Sequence, residues 1–179
     1  PGGKTLAMLQ LAPGLTMTAL DTDAQRLARV AENLQRAGCQ AELIADDASA
    51  PAQPGWSSRR YERILVDAPC SATGVMRRHP DIRLLRRPED IDVLVRRQAA
   101  ILDRLWGLLA PGGRLLYVTC SLLPAENAEQ IAAFLARHKE AQPLKLPTTP
   151  GRRSGEGVQL LPGIDDTDGF YYAALGKPA

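Results

Sequence analysis

The chain has 179 residues, of which 45% are hydrophobic and 23% charged, with a formal net charge of +2. That length supports a domain with a real core, and the composition is that of an ordinary globular protein rather than a disordered one. No apolar run approaches the ~20 residues of a membrane span, no signal peptide is visible, and so small a net charge selects no class of partner.

The elements read as follows. Pro1-Gly2-Gly3-Lys4-Thr5 is a glycine-rich turn opening a short apolar helix through Leu6, Ala7, Leu9 and Leu11. Residues 15–20 form a strand ending at Asp21, and residues 24–37 an amphipathic helix with Leu27, Val30, Ala31 and Leu34 on one face and Gly38 after its end. Residues 41–45 are a second strand, stopping at Asp46-Asp47, and residues 50–60 a Pro-, Ser- and Gly-rich loop. Residues 61–67 give a buried strand, Ile64-Leu65-Val66, that delivers Asp67, Pro69 and Cys70 to its carboxyl end.

A basic segment follows. Arg77, Arg78, His79, Arg83, Arg86 and Arg87 are opposed within it only by Asp81. Residues 91–109 are a long helix burying Leu94, Ile101, Leu102, Leu105, Leu108 and Leu109, ended by Pro111-Gly112-Gly113. Residues 115–119 form another buried strand, which stops at Cys120; Pro124 then starts a helix that turns Ile131, Phe134 and Leu135 inward. Residues 139–157 read as an irregular loop, and residues 159–161 and 170–175 as a closing strand pair. Alternating strands and helices predict an α/β fold, a doubly wound parallel sheet with an antiparallel C-terminal edge.

Three cysteines, Cys39, Cys70 and Cys120, are too few and too scattered for a disulfide framework or a zinc cluster. Reduced thiols in a cytoplasmic protein, with no metal, are the expectation. Pro1 stands inside a loop motif with no Met before it. Residues 1–179 are therefore expected to be a single domain, truncated at the N-terminus, whose first strand lies ahead of Pro1. A monomer is expected.

Two constellations carry chemistry. In open α/β sheets ligands bind at the carboxyl ends of the strands, with a glycine-rich turn after the first strand and an acid about 20 residues on that binds ribose hydroxyls. Gly3 followed by Asp21, with Asp47 at the next strand end, fits that pattern. Two other readings stay open: Asp21 and Asp47 as helix N-caps, and Gly3-Lys4-Thr5 as the tail of a phosphate-binding loop with Asp67 holding magnesium. The second constellation is Cys70 and Cys120, each just beyond a strand that ends in the same cleft. Two such thiols without metal-ligand spacing suggest nucleophilic catalysis, whereas Cys39, beside a helix end, reads as structural.

Pro1-Gly2-Gly3-Lys4-Thr5, Asp67-Ala68-Pro69-Cys70-Ser71 and Thr119-Cys120-Ser121 resemble the signature motifs of the RNA cytosine-C5 methyltransferases. Ser71-Ala72-Thr73-Gly74 running into Arg77-Arg78-His79-Pro80-Asp81 is most similar to the Sun/Fmu-type bacterial members that act on 16S ribosomal RNA, and the resemblance runs on to Asp168-Gly169-Phe170-Tyr171. It implies a Rossmann-like methyltransferase fold, S-adenosyl-L-methionine as cofactor and ribosomal RNA as partner. It also implies an N-terminal RNA-binding domain outside residues 1–179. By the family pattern Cys120 attacks C6 of the base, Asp67 sits at N3, and Cys70 assists product release. Pro1, Gly2, Gly3, Lys4, Asp21, Asp47 and Asp67 then fall on cofactor positions. The basic run would hold phosphates on either side of the flipped base; its plainer reading is a solvated face. Two alternatives stand beside this one. One is a DNA cytosine methyltransferase in which Cys70 attacks, and the other a non-catalytic RNA-binding module.

Overall fold

A Gly-Gly turn opens the computed structural model, which describes residues 1–12, 14–146, 151–164 and 166–179. The chain divides into two units, Pro1–Arg59 and Arg60–Ala179.

In the first unit, α1 (Gly3–Leu11), β1 (Thr18–Asp21), α2 (Ala24–Arg36), β2 (Glu42–Ala45) and the short α3 (Pro54–Ser57) follow in order. β1 and β2 run parallel, from Thr18↔Glu42 to Asp21↔Ala45. Helix α2 starts at Asp23, whose side chain accepts the N–H groups of Gln25 and Arg26, the N-cap arrangement that satisfies donors left over in a first turn. Its stripe of Leu27, Val30 and Leu34 is buried, while Ala31, expected on the same face, is exposed. Leu9, Val30 and Leu34 make the core of this unit, with Leu6, Met17, Cys39, Ala41 and Leu43 against it. Cys39 is thus a packing residue.

The loop expected over residues 50–60 contains α3, which buries Trp56. The reason is Asp46: its buried carboxylate accepts the amide N–H of Ala52 at 3.0 Å, that of Gln53 at 3.0 Å and the Trp56 indole N–H at 2.7 Å. The Ala52 and Trp56 bonds hold its pKa down to about 2, from an ordinary 3.8. A pKa lowered by folding contributes stability that is present above the unfolded value and lost as pH falls through the folded one. Acid melts followed by circular dichroism should therefore lose stability as pH falls from about 4 toward about 2, and Asp46→Asn should flatten that limb. An unchanged acid slope in the variant would show that Asp46 is not the group being titrated.

The second unit contains β3 (Tyr61–Asp67), the short α4 (Ile82–Leu85), α5 (Pro88–Leu108), β4 (Leu109–Thr119), α6 (Ala128–Arg137), β5 (Gln142–Leu144), β6 (Arg152–Ser154), β7 (Gly157–Leu160) and β8 (Phe170–Gly176). Its sheet has the order β3-β4-β8-β7-β6, with β5 also paired to β8. β3 and β4 are parallel, in register from Arg63↔Arg114 to Asp67↔Val118. β8 lies antiparallel to β4, and its other edge is shared between β5 around Leu144↔Ala174 and β7 around Val158↔Tyr172. The antiparallel end is therefore wider than a closing strand pair, because β5 and β6 arise within the expected loop; residues 147–150 of that loop lie outside the described residues.

Two other boundaries differ from expectation. Helix α5 begins three residues early, at Pro88, and Arg87 N–H donates to the Asp90 carboxylate to close its first turn. It ends at Leu108, ahead of Pro111-Gly112-Gly113, which falls inside β4 where the register shifts between Tyr61↔Leu109 and Arg63↔Arg114. Pro124 opens a 3₁₀ turn rather than α6, since Asn127, at φ −118° and ψ −103°, breaks the helix before Ala128. Leu102, Leu109, Leu115, Tyr117, Ile131, Phe134, Tyr171 and Leu175 are fully buried and form the core. Among the described residues no helix is long and apolar enough to cross a membrane.

Candidate active site

Because β3 and β4 are parallel neighbours with Asp67 opposite Val118, their chains leave the sheet at the same level. Ala68 N–H still donates to Val118 C=O at 2.9 Å; beyond it Pro69 removes a donor and the ladder ends. Cys70 and Cys120 follow, both half-buried thiols, and their sulfurs are 3.5 Å apart. Asp67 closes the same strand end with an exposed side chain. The Cys120 sulfur beside it, together with burial, pushes the Cys70 thiol well above its ordinary value, so at neutral pH Cys70 carries its proton. Beneath them burial raises the Tyr117 phenol, whose O–H donates to the backbone C=O of Glu126 at 2.8 Å.

The loops that present the thiols are held by buried polar groups. Ser71 N–H donates to Glu126 Oε1 at 2.8 Å and Ser71 Oγ to Oε2 at 2.6 Å, and Ser121 Oγ donates to Oε2 as well. Gln98, from α5, donates to Pro69 C=O at 2.9 Å and to Glu126 at 3.1 Å. Thr119 donates to Asn127, which in turn donates to Ser121 C=O. Ala72 then takes φ 61° and ψ 23°, a left-handed conformation that costs a non-glycine residue about 1–2 kcal/mol. It turns the chain so that Gly74 N–H reaches Cys120 C=O at 2.9 Å. Sequence reasoning missed Glu126, Gln98, Asn127 and Ser121, all buried; the signal available was an acid and an amide placed where apolar residues would otherwise face a core.

The basic residues are exposed, and part of their charge is paired within the chain. Arg78 Nε lies 2.9 Å from Asp168, and Arg77 is 3.9 Å from Asp168 and 3.5 Å from Asp166. Arg86 Nε donates to Ser71 C=O at 3.1 Å. Leu84 and Leu85 of α4 are exposed.

The candidate cofactor residues belong to the first unit, apart from Asp67. Gly2 has φ 85°, and a Cβ there would press on Val30 Cγ1 and Cγ2 at 3.0 Å, whereas a Cβ on Gly3 would meet open space. Pro1 is exposed, as is Lys4 in the first turn of α1, a nine-residue helix that starts with no side-chain cap and no acid. An uncapped helix start beside a glycine suits an anionic group. Asp21 Oδ1 accepts Asp23 N–H at 2.9 Å, with Arg26 3.6 Å away. Asp47 Oδ1 accepts Ser49 N–H at 2.8 Å and its hydroxyl at 2.6 Å. Neither is a helix N-cap; that position of α2 belongs to Asp23. A glycine turn, an open helix start and carboxylates at two strand ends fit a ligand that carries a carboxylate and ribose hydroxyls. Among the described residues no three His, Cys, Asp or Glu side chains are placed to hold a metal ion.

A family model described as 16S rRNA methyltransferase RsmB/F matches residues 1–176. The ribosomal RNA small subunit methyltransferase B of Vibrio vulnificus is 52% identical over 179 residues, covering 100% of this chain and 41% of its own length. The chain thus spans about two fifths of the curated relatives it matches. Among solved structures, PH0851 matches with a TM-score of 0.89 at 33% identity, over 99% of this chain and 40% of that one. NSun6 from Pyrococcus horikoshii, solved with SFG, matches with a TM-score of 0.86 at 30% identity, over 100% of this chain and 46% of that one. These likenesses run the length of the chain, and the fold is the α/β methyltransferase fold that the family resemblance implies.

Proposed function

Since the chain belongs to the 16S rRNA methyltransferase RsmB/F family, we propose that it carries the machinery that methylates C5 of a cytosine in 16S ribosomal RNA through a covalent bond between Cys120 and C6. The observation that carries this reading is the pair of thiols with sulfurs 3.5 Å apart at the ends of two neighbouring parallel strands. When bound, S-adenosyl-L-methionine would supply an electrophilic methyl group and leave as the thioether S-adenosyl-L-homocysteine, and family membership favours it over the nucleotide of a phosphate-binding loop. Acting on ribosomal RNA, the protein works in the cytoplasm.

C5 of cytosine is a weak nucleophile. Addition of the Cys120 thiolate to C6 breaks the C5–C6 double bond and leaves C5 as an enamine carbon that takes the methyl group. Asp67, as the carboxylic acid, donates its proton to N3, where negative charge develops, and takes it back on release. Transfer of the C5 proton to water restores the double bond and expels the Cys120 thiolate from C6. Cys70, held as a thiol by its surroundings, stays out of the attack and assists this release. The base leaves its stack to reach the thiols, at the cost of a few kcal/mol. Gly2, Gly3, Lys4, Asp21 and Asp47, with Pro1 at their edge, hold the methyl donor, Asp21 taking its ribose hydroxyls.

Calorimetry tests the donor site. A lost hydrogen bond to a charged group costs about 1.5–3 kcal/mol, so Asp21→Ala should weaken S-adenosyl-L-methionine binding roughly ten- to a hundred-fold. Unchanged affinity would remove Asp21 from the site. No binding by the parent chain would favour an RNA-binding module without turnover.

A further inference from the structure

We propose that Glu126 is the positioning residue of the thiol pair, its carboxyl group holding the residue that follows each cysteine and so fixing the separation at which Cys70 and Cys120 work. The proposal rests on the reading of these two as the reacting thiols. Glu126 is 0% exposed and sits on the 3₁₀ turn Pro124–Glu126 that follows the Cys120 loop. Its Oε1 accepts Ser71 N–H at 2.8 Å and the Gln98 amide at 3.1 Å; its Oε2 accepts Ser71 Oγ at 2.6 Å and Ser121 Oγ. Ser71 is the neighbour of Cys70 and Ser121 the neighbour of Cys120, and the two hydroxyls are 3.1 Å apart. One side chain therefore ties together two loops that come from different strands.

The tie lies past the end of the β3–β4 ladder, where the backbone bond from Gly74 N–H to Cys120 C=O at 2.9 Å also crosses between the loops. Past Ala68 N–H the β3–β4 ladder has ended, so the spacing of the thiols depends on what holds the loops. Glu126 is itself fixed from two sides, through Tyr117 O–H on its backbone C=O and through Gln98, which also grips Pro69 C=O just before Cys70. The four donors that converge on the carboxyl group are an amide N–H, two hydroxyls and a carboxamide, all neutral. A glutamine in the same place can satisfy them: its oxygen accepts from Ser71 N–H and Gln98, and its amide nitrogen donates to the two hydroxyl oxygens. Alanine removes the acceptor from all four and leaves the two hydroxyls only each other and Thr73 Oγ1. The role assigned to Glu126 is therefore geometric, and a glutamine should keep it.

The test uses the full chain carrying Cys39→Ser, without RNA or methyl donor. Dibromobimane, which becomes fluorescent once it has alkylated two thiols, reports how often Cys70 and Cys120 stand within its short span. Iodoacetamide, on variants that retain Cys70 or Cys120 alone, reports the exposure of each. Glu126→Gln should cross-link within about twofold of the parent, its hydrogen bonds being replaced. Glu126→Ala should cross-link about tenfold more slowly or worse, the equivalent of one to two lost buried hydrogen bonds, while the two single-thiol rates hold. Cross-linking by Glu126→Ala at the parent rate would overturn the proposal, as would single-thiol rates that fall in step with cross-linking. If Glu126→Ala does not fold, Ser121→Ala decides: it removes one tie and keeps the others, and its cross-linking should fall about threefold or more, parent-like cross-linking again overturning the proposal. Failure of the chain to methylate RNA would leave these rates as predicted, so the two readings fail separately.

Discussion

Cys120→Ala is expected to abolish methylation, lowering turnover at least about a thousandfold, since removal of an attacking nucleophile removes the covalent route entirely. Cys70→Ala is expected to do something different. Its Cys120 still attacks C6 and the base still receives its methyl group, but the step that separates enzyme from RNA is slowed. The protein should then run with its RNA as a band that survives denaturing electrophoresis, and adding Cys120→Ala to the same chain should make that band disappear. Two sulfurs 3.5 Å apart disfavour a pair of thiolates, so one thiol of the pair keeps its proton at neutral pH, and the thiolate, not the thiol, is the nucleophile. The opposite pattern, an adduct trapped by Cys120→Ala and lost in Cys70→Ala, would assign the attack to the thiol after Pro69, as in the DNA cytosine methyltransferase alternative. Absence of an adduct from both single variants, in a protein extended to the full length of its relatives, would remove the covalent mechanism.

What the sequence revealed about this site was what is local in it. The strand run Ile64-Leu65-Val66 and the position of Cys70 just past its end can be read within ten residues, and so can Thr119-Cys120-Ser121. Parallel pairing then follows from the helical span between the two strands, and proximity of the thiols follows from the pairing. The same holds for Asp21 and Asp47 at the ends of β1 and β2. What stayed hidden was whatever depends on a distant partner. Glu126 reaches Ser71 across 55 positions, and Arg78 reaches Asp168 over a longer span still. Neither contact has a periodicity to announce it, so the basic run read as opposed by Asp81 alone when Asp166 and Asp168 face it in space. Asp46 was passed over for its neighbour Asp47 because both end the same strand; only the fold shows that Asp46 turns inward to Trp56. The boundary errors have a similar origin. Pro111-Gly112-Gly113 looks like a helix stop, yet Gly112 N–H donates to Lys177 C=O, a partner from the far end of the chain that draws the segment into β4.

Gly74→Ala should be among the most damaging single-methyl changes in the chain, and Gly107→Ala should do the reverse. A Cβ on Gly74 would collide with the backbone of Gly169, coming 2.7 Å from its carbonyl carbon and 2.8 Å from its Cα as well as against its carbonyl oxygen. No rotamer change relieves a clash with main chain, so the cost should reach the upper end of overpacking penalties, about 3 kcal/mol. For a protein of this size that is a fall in Tm of roughly 5–10 °C. The damage should also be felt at the thiols: Gly74 N–H donates to Cys120 C=O, and Gly169 N–H donates to Gly74 C=O at 2.8 Å, so pushing the two glycines apart pulls on the backbone of Cys120. Adduct formation by Gly74→Ala should accordingly be slower than the parent's at temperatures where the variant is still folded. Gly107 lies in the last turn of α5 with nothing within 4 Å of an added Cβ, and alanine there gains about 0.5–1 kcal/mol by restricting the unfolded chain and favouring the helix. Equal melting temperatures for the two variants would show that the Gly74–Gly169 contact yields freely, and Cys120 would then have to be held by its side-chain network alone.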